Sequence, residues 1–260
     1  MSTYHFETLR VELQDHVATV WLNNPPVNAV NTQMMLDLAL AMDSFGDDPD
    51  VRCVILIGEG RVFCAGADLK NRGQMLEQPG GLPQHSRRTR ELFHSIRECP
   101  KPVIAALNGA ALGAGVGIAA SCDILIAAEG ASLGLPEIDV GLLGGVKHAQ
   151  RLFSHSRLRR MMLTGMRVPA AELYRLGIIE ACVPADKLLD EARQIALQIA
   201  SKSPASIRLL IQTANAIEDM SLRDGYRYEQ DMTAQVAKTE DAKEARLAFL
   251  EKRTPVFTGR

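Results

Sequence analysis

The stretch Asn108-Gly-Ala-Ala-Leu-Gly-Ala-Gly-Val-Gly-Ile-Ala-Ala-Ser-Cys-Asp123 follows the apolar run Pro102-Val-Ile-Ala-Ala-Leu107 and carries Gly109, Gly113, Gly115 and Gly117. A strand running into glycines and then into Ile118, Ala119 and Ala120 predicts a strand–turn–helix junction. Such a junction leaves unpaired backbone N–H groups at a helix start, where the helix dipole favours negative charge. The missing side chains let a ligand approach the backbone closely. Tight helix–sheet packing selects the same small residues. No phosphate loop of the form G-x-x-x-x-G-K followed by Ser or Thr is present, so the spacing alone leaves anion binding and packing equally open.

A second junction lies upstream. The buried-strand pattern Val51-Arg-Cys-Val-Ile-Leu-Ile57 closes on Gly58-Glu-Gly60 and leads to Gly60-Arg-Val-Phe-Cys-Ala-Gly-Ala-Asp-Leu-Lys70. Cys64-Ala-Gly-Ala67 is small-residue backbone before a helix predicted to start near Asp68. Two peptide N–H groups from separate junctions, converging on one oxygen, make an oxyanion hole. Downstream, Leu135-Pro-Glu-Ile138 sets Glu137 at the mouth of a turn containing Gly141, Gly144 and Gly145. A carboxylate among apolar neighbours has a raised pKa and suits general acid–base work. The alternative is a helix-start carboxylate bound to backbone, and the residues by themselves favour neither.

The rest of the chain places these motifs. Val11 to Leu22 alternates around Gln14-Asp-His16 and predicts a hairpin. Asn31 or Thr32 caps a helix whose apolar positions include Met34, Met35 and Leu38. Asn71 to His85 is polar and contains Gly and Pro, which predicts a mobile loop, a lid over a pocket; Ser86 to Ile96 resumes a helix. Cys122 to Ala128 is another strand, and from residue 146 onward helical patterns dominate. Strands alternating with helices indicate an α/β arrangement. A boundary near Ser201-Lys-Ser-Pro204 separates a core, residues 1–200, from a helical C-terminal part, residues 201–260.

With 260 residues, 47% hydrophobic and 23% charged, the chain has enough material for a sizeable core. A formal charge of −2 gives no global field toward nucleic acid or anionic membrane, and no run reaches the length of a membrane span. The start, Met-Ser-Thr-Tyr-His-Phe-Glu, lacks a basic, apolar leader, so a cytoplasmic protein is expected. The five cysteines show no CxxC pair and no zinc-like spacing, which predicts buried free thiols and no metal site. Cys64, without a nearby His or Asn in sequence, is read as packing rather than nucleophile.

Taken together, Leu22-Asn-Asn-Pro-Pro-Val-Asn-Ala29, Gly60–Lys70, Lys101–Ile124 and Leu135–Leu152 resemble the crotonase (enoyl-CoA hydratase/isomerase) superfamily in order and spacing. Leu163–Ala170, Gly177–Glu180 and Phe249–Arg253 fit as well. The resemblance implies an α/β spiral of ββα units with a C-terminal helical trimerisation region, assembled as a trimer or dimer of trimers. It implies an acyl-CoA substrate and no cofactor beyond the coenzyme A that the substrate carries. The N–H groups of Ala65 and Ala114 would form the oxyanion hole and Glu137 the acid/base. Backbone around Val27, Ala65, Gly66, Ala67 and Asp68 would line the coenzyme A path, with Gly113 and Gly117 at the acyl site. Lys252 and Phe257 are weaker candidates, reaching coenzyme A from a neighbouring subunit.

Two departures matter. Hydratases of this group use a second glutamate three residues after the oxyanion-hole residue of the glycine stretch, and here that position is Gly117. Gly117 is expected to open a side-chain-sized volume for a bulkier acyl group, a water or an anion. The aspartate that dienoyl-CoA isomerases carry eight residues beyond the glutamate is Gly145 here. Asp139 stands two residues from Glu137, and His148 is read as a surface or capping residue. Hydration or double-bond isomerisation of an enoyl-CoA therefore leads. Ring-opening hydrolysis or decarboxylation of a β-ketoacyl-CoA is the alternative. A third reading is a silent acyl-CoA- or RNA-binding member using Arg157-Leu-Arg-Arg160 and Arg87-Arg-Thr-Arg90.

Overall fold

The computed structural model describes residues 4–260; Met1–Thr3, part of the stretch read for a leader, lie outside the described residues. The predicted hairpin forms from β1 (Leu9–Gln14) and β2 (Val17–Leu22). Its two-residue turn puts Asp15 and His16 at φ 52° and 65°, the left-handed pair that matches strand twist. Helix α1 (Thr32–Asp47) is capped by Asn31, whose Oδ1 accepts the Met34 N–H at 2.8 Å. Strand β3 (Cys53–Gly58) follows.

Next come two helices, α2 (Leu69–Leu76) and α3 (Gly81–Glu98). The helix expected over 86–96 lies within α3, but most of 71–85, read as a loop, is helical too, in α2 and the first turns of α3. Met75 and Gly81 are buried there, and tertiary packing overrides the low helix propensity of the polar run.

Strand β4 (Val103–Leu107) leads to β5 (Ala110–Leu112) and α4 (Ala114–Ser121). The glycine stretch is thus a junction with an extra three-residue strand inserted between its main strand and its helix. Strand β6 (Ile124–Ala128), β7 (Ser132–Gly134) and a 3-10 turn over Pro136–Val140 repeat the plan. Then follow α5 (Val146–Ala149), α6 (His155–Thr164), β8 (Arg167–Pro169), α7 (Ala170–Arg175) and β9 (Cys182–Val183). Four helices finish the chain: α8 (Leu188–Ala200), α9 (Pro204–Ile217), α10 (Leu222–Val236) and α11 (Glu240–Glu251).

Six strands form one sheet in the order β1-β2-β3-β4-β6-β9, parallel from β2 onward; β5, β7 and β8 form a second. A bridge between Cys64 and Ala111 gives the second sheet a rudimentary further strand. Each turn of the chain therefore lays one strand in the large sheet, one short piece in the small sheet and then a helix, a spiral of ββα units. Both faces of the large sheet are buried. On β3, Val54 and Leu56 enter the main core while Cys53, Ile55 and Ile57 meet the core under α8. On β4 the split is Val103, Ala105 and Leu107 against Ile104 and Ala106.

Helix α3 crosses α4 at Gly117. A Cβ there would lie 2.6 Å from Cε1 and 2.7 Å from Cζ of Phe93. The side-chain-sized volume expected at Gly117 is therefore not open, because the Phe93 ring fills it. Replacing Gly117 by Ala sets a helix-propensity gain of about 1 kcal/mol against overpacking of about 1–3 kcal/mol. At these separations overpacking wins, so Gly117→Ala is expected to lose about 1 kcal/mol in urea unfolding. In a Phe93→Leu background the same change becomes neutral or stabilising; an equal loss in both backgrounds would contradict the contact.

Candidate active site

The two small-residue junctions meet beyond the C-terminal ends of β3 and β4. Asn108 ties those ends together: its Nδ2 donates to the carbonyls of Gly58 and Gly60, both at 2.9 Å, and its Oδ1 accepts the Gly58 N–H at 3.0 Å. Buried Asn28 donates to the carbonyls of Glu59 and Val62, so the loop leading to Cys64 is held from both sides. Cys64 then pairs with β5, donating to the Ala110 carbonyl and accepting from the Leu112 N–H at 2.9 Å. Gly115 makes that approach feasible, since a Cβ there would sit 2.5 Å from the Cys64 carbonyl oxygen.

Backbone direction decides which N–H groups face the gap. The Ala65 N–H donates to the Val27 carbonyl at 3.0 Å. It is engaged on the side away from β5, which corrects its assignment as an oxyanion donor. The carbonyl of Gly66 and the N–H of Asp68 both bond to Val30. In such a parallel bridge the intervening residue, Ala67, turns its own N–H the opposite way, toward the glycine stretch. The segments are close: a Cβ at Gly66 would stand 3.9 Å from the Ala114 nitrogen. Ala114 is the first residue of α4, so its N–H has no acceptor within the helix. Gly113 before it adopts φ 52° and ψ −113°, a turn that costs other residues strain.

Glu137, in the 3-10 turn, brings its carboxylate to the same place. Its Oε1 is 2.7 Å from where a Gly113 Cβ would project and 3.4 Å from that of Gly144. Its backbone carbonyl accepts the Leu142 N–H at 2.9 Å, which fixes the turn. Its Oε2 is buried without a hydrogen-bond partner among the described residues. Burial raises the Glu137 pKa, and a backbone hydrogen bond offsets only part of that. A desolvated carboxylate with one unpaired oxygen beside a helix N-terminus is placed to take up and return a proton.

Other predicted residues fall elsewhere. The Asp139 carboxylate turns toward Gly165, where a Cβ would lie 2.6 Å from its Oδ2, and so leaves Glu137 without a second acid. His148 is not a surface cap. Its ring lies 4.4 Å from that of Phe93 and faces a cavity, a placement that no spacing in the sequence signals. Cys64 is fully buried with its thiol pKa pushed up to about 12 by burial, as a packing residue should be. Arg157 pairs with Glu172 at 2.6 Å, which removes it from the basic surface considered for RNA. Val27 is exposed beside Ala65, and Asp68 accepts the Lys70 N–H at the start of α2.

Lys252 and Phe257 do not reach this site within one chain. The Phe257 carbonyl lies 3.4 Å from Nη2 of Arg52, just before β3, whereas the site lies past its other end. Along six residues that separation is about 16 Å. Lys252 ends α11 in an exposed left-handed turn. Among the described residues no three His, Cys, Asp or Glu side chains cluster as metal ligands, and no helix is long and apolar enough to cross a membrane.

A family model described as enoyl-CoA hydratase/isomerase matches residues 12–260. A probable enoyl-CoA hydratase of Mycobacterium tuberculosis is 37% identical, over 98% of this chain and 99% of its own length. A (7aS)-7a-methyl-1,5-dioxo-2,3,5,6,7,7a-hexahydro-1H-indene-carboxyl-CoA hydrolase of Rhodococcus jostii is 35% identical over 93% of each chain. The crystal structure of an enoyl-CoA hydratase from Bacillus anthracis superposes with a TM-score of 0.90 at 33% identity, covering 98% of this chain and 100% of that one. On this combination of sequence, fold and site, the chain belongs to the enoyl-CoA hydratase/isomerase family of the crotonase superfamily.

Proposed function

We propose that this acyl-CoA enzyme forms a thioester enolate, with the carbonyl oxygen held between the N–H groups of Ala67 and Ala114 and Glu137 moving the proton. The observation that carries the reading is the Glu137 carboxylate, whose Oε1 lies against the Gly113 turn before α4 and whose Oε2 is buried without a partner among the described residues. As the α-proton leaves, the thioester oxygen gains negative charge, and two fixed N–H groups stabilise it without reorganising. The coenzyme A arm runs past Val27 and the Ala65–Asp68 backbone, and no cofactor other than coenzyme A is required.

With Phe93 against Gly117 in place of a second carboxylate, one group must both take and return the proton. Double-bond isomerisation fits this directly, because the same carboxylate serves at two carbons; hydration of an unusual enoyl-CoA is the other reaction in front. The second reading is ring opening of a cyclic β-ketoacyl-CoA, supported by the similarity to the Rhodococcus jostii hydrolase. There water adds to the ring ketone, the C–C bond breaks, the former ketone carbon leaves as a carboxylate, and the enolate is protonated at carbon.

Assembly belongs to the same proposal. Leu222, Phe249 and Leu250 on α10 and α11 are 90%, 82% and 78% exposed, large apolar side chains available for contact with another copy. We infer that the 201–260 part packs copies of the chain into a trimer or dimer of trimers, bringing Lys252 and Phe257 toward a neighbour's coenzyme A. Light scattering is expected to give three or six times the 28.4 kDa chain mass, and a monomer would overturn the assembly.

Glu137→Gln should lower kcat/KM on the best substrate of an acyl-CoA panel by about 10²–10⁴-fold, leaving thioester affinity within about threefold. Because burial raises its pKa, the active carboxylate form is lost as pH falls through a value above that of an ordinary glutamate. The acid limb of the wild-type profile should sit there and vanish from the residual rate of the variant. Full activity in Glu137→Gln would remove Glu137 as the base.

A further inference from the structure

A cavity of about 360 Å³ opens beside the proposed reaction centre, between α2, α3 and the loop that enters α5. Its inner wall is shared with that centre. Phe93, which fills the space in front of Gly117, lines it, and so does Gly145, whose Cβ position is 3.4 Å from the Gly113 carbonyl oxygen. Besides the hydroxyls of Ser86 and Thr89, the polar lining is cationic or basic: Arg72, His85, Arg90, His94 and His148 line the space, and no carboxylate does. None of the ion pairs among the described residues uses Arg72 or Arg90. Other arginines, Arg61, Arg159 and Arg160 among them, also lack an ion pair among the described residues; what sets Arg72 and Arg90 apart is that both line one cavity beside the proposed reaction centre.

Two of the imidazoles are disfavoured as cations, first of all by burial. Burial first, then the charges of Arg72 and Arg88, lower the His85 pKa; burial, then Arg151, His94 and Arg97, lower that of His148. An alkyl chain alone would desolvate these groups and return nothing, at a cost well above that of an apolar wall. An anion in the cavity supplies the missing partner, and a carboxylate matches the fork of an arginine.

We infer that the cavity takes the far end of the acyl chain and that this end carries a carboxylate, held by Arg72 and Arg90 with His85 and His148 beside them. The inference rests on the acyl-CoA reading above and narrows it to acyl thioesters with a second, distal acid group. Such a group also fixes how far the chain enters, and so which carbon Glu137 faces.

The same positive cluster could instead serve the phosphates of coenzyme A, and the test separates the two. Calorimetric titration of the full-length protein compares free coenzyme A, hexanoyl-CoA and adipoyl-CoA, which are matched in length and inert to isomerisation. Adipoyl-CoA is expected to bind at least tenfold tighter than hexanoyl-CoA, with the ratio shrinking as ionic strength rises. In Arg72→Gln/Arg90→Gln the ratio should fall to near one. Because the readout is a ratio within one protein, partial loss of folded material does not mimic it, and the salt dependence needs no variant. A wild-type ratio of one or below overturns the inference and leaves the acyl-CoA reading standing. So does equal weakening of all three ligands in the double variant, which would assign the cluster to coenzyme A phosphates. Failure of all three to bind would sink both readings.

Discussion

The interaction on which the rest depends is the backbone pairing of Cys64 with β5, through Ala110 and Leu112. It is a contact between main chains, so it needs absent side chains rather than particular ones. Gly115 keeps the Cys64 carbonyl clear, and Gly113 turns the chain through a left-handed conformation into α4. Once the strands are this close, the next N–H groups along each segment have few choices. Ala65 and Asp68 bond outward to Val27 and Val30, leaving Ala67 to face Ala114. Two uncommitted donors beside a helix N-terminus form an electropositive gap, and the polarised peptide groups hold it without a single charged side chain.

Glu137 stands beside that gap. A desolvated carboxylate is unfavourable unless something compensates, and here a hydrogen bond to its own backbone does so only in part. One oxygen lies against the Gly113 turn while the other has no partner. The site is therefore tense before substrate arrives, with donors lacking an anion and a carboxylate lacking a proton donor. On the proposed reading, an α-proton and a thioester oxygen would answer both needs at once.

Much of the fold was legible in the sequence because it rests on short-range patterns. The hairpin around Asp15-His16, the buried strands at 53–58 and 103–107, and the helices after residue 146 follow from apolar runs, period and turn chemistry. What escaped depends on contacts between distant segments. The polar run 71–85 reads as a loop until Met75 is seen to be buried under α2, and Gly117 reads as empty space until the Phe93 ring is seen to fill it. Ala65 and Ala67 differ only in which edge of a two-residue bridge their N–H groups face, and sequence carries no sign of that. The basic cavity joins Arg72 and Arg90 on successive helices to His148, far along the chain, so in the sequence its charge stands out only as the Arg87–Arg90 cluster weighed for RNA.

The central claim is that this gap stabilises an enolate, whatever reaction follows it. The direct measurement is proton exchange at the α-carbon of a saturated acyl-CoA in D2O, followed by NMR, since exchange needs the enolate and nothing beyond it. The account predicts enzyme-dependent loss of the α-proton signal, faster with adipoyl-CoA than with hexanoyl-CoA at equal concentration. Binding of either thioester without exchange at its α-carbon, under conditions where the protein turns over its own substrate, would contradict it.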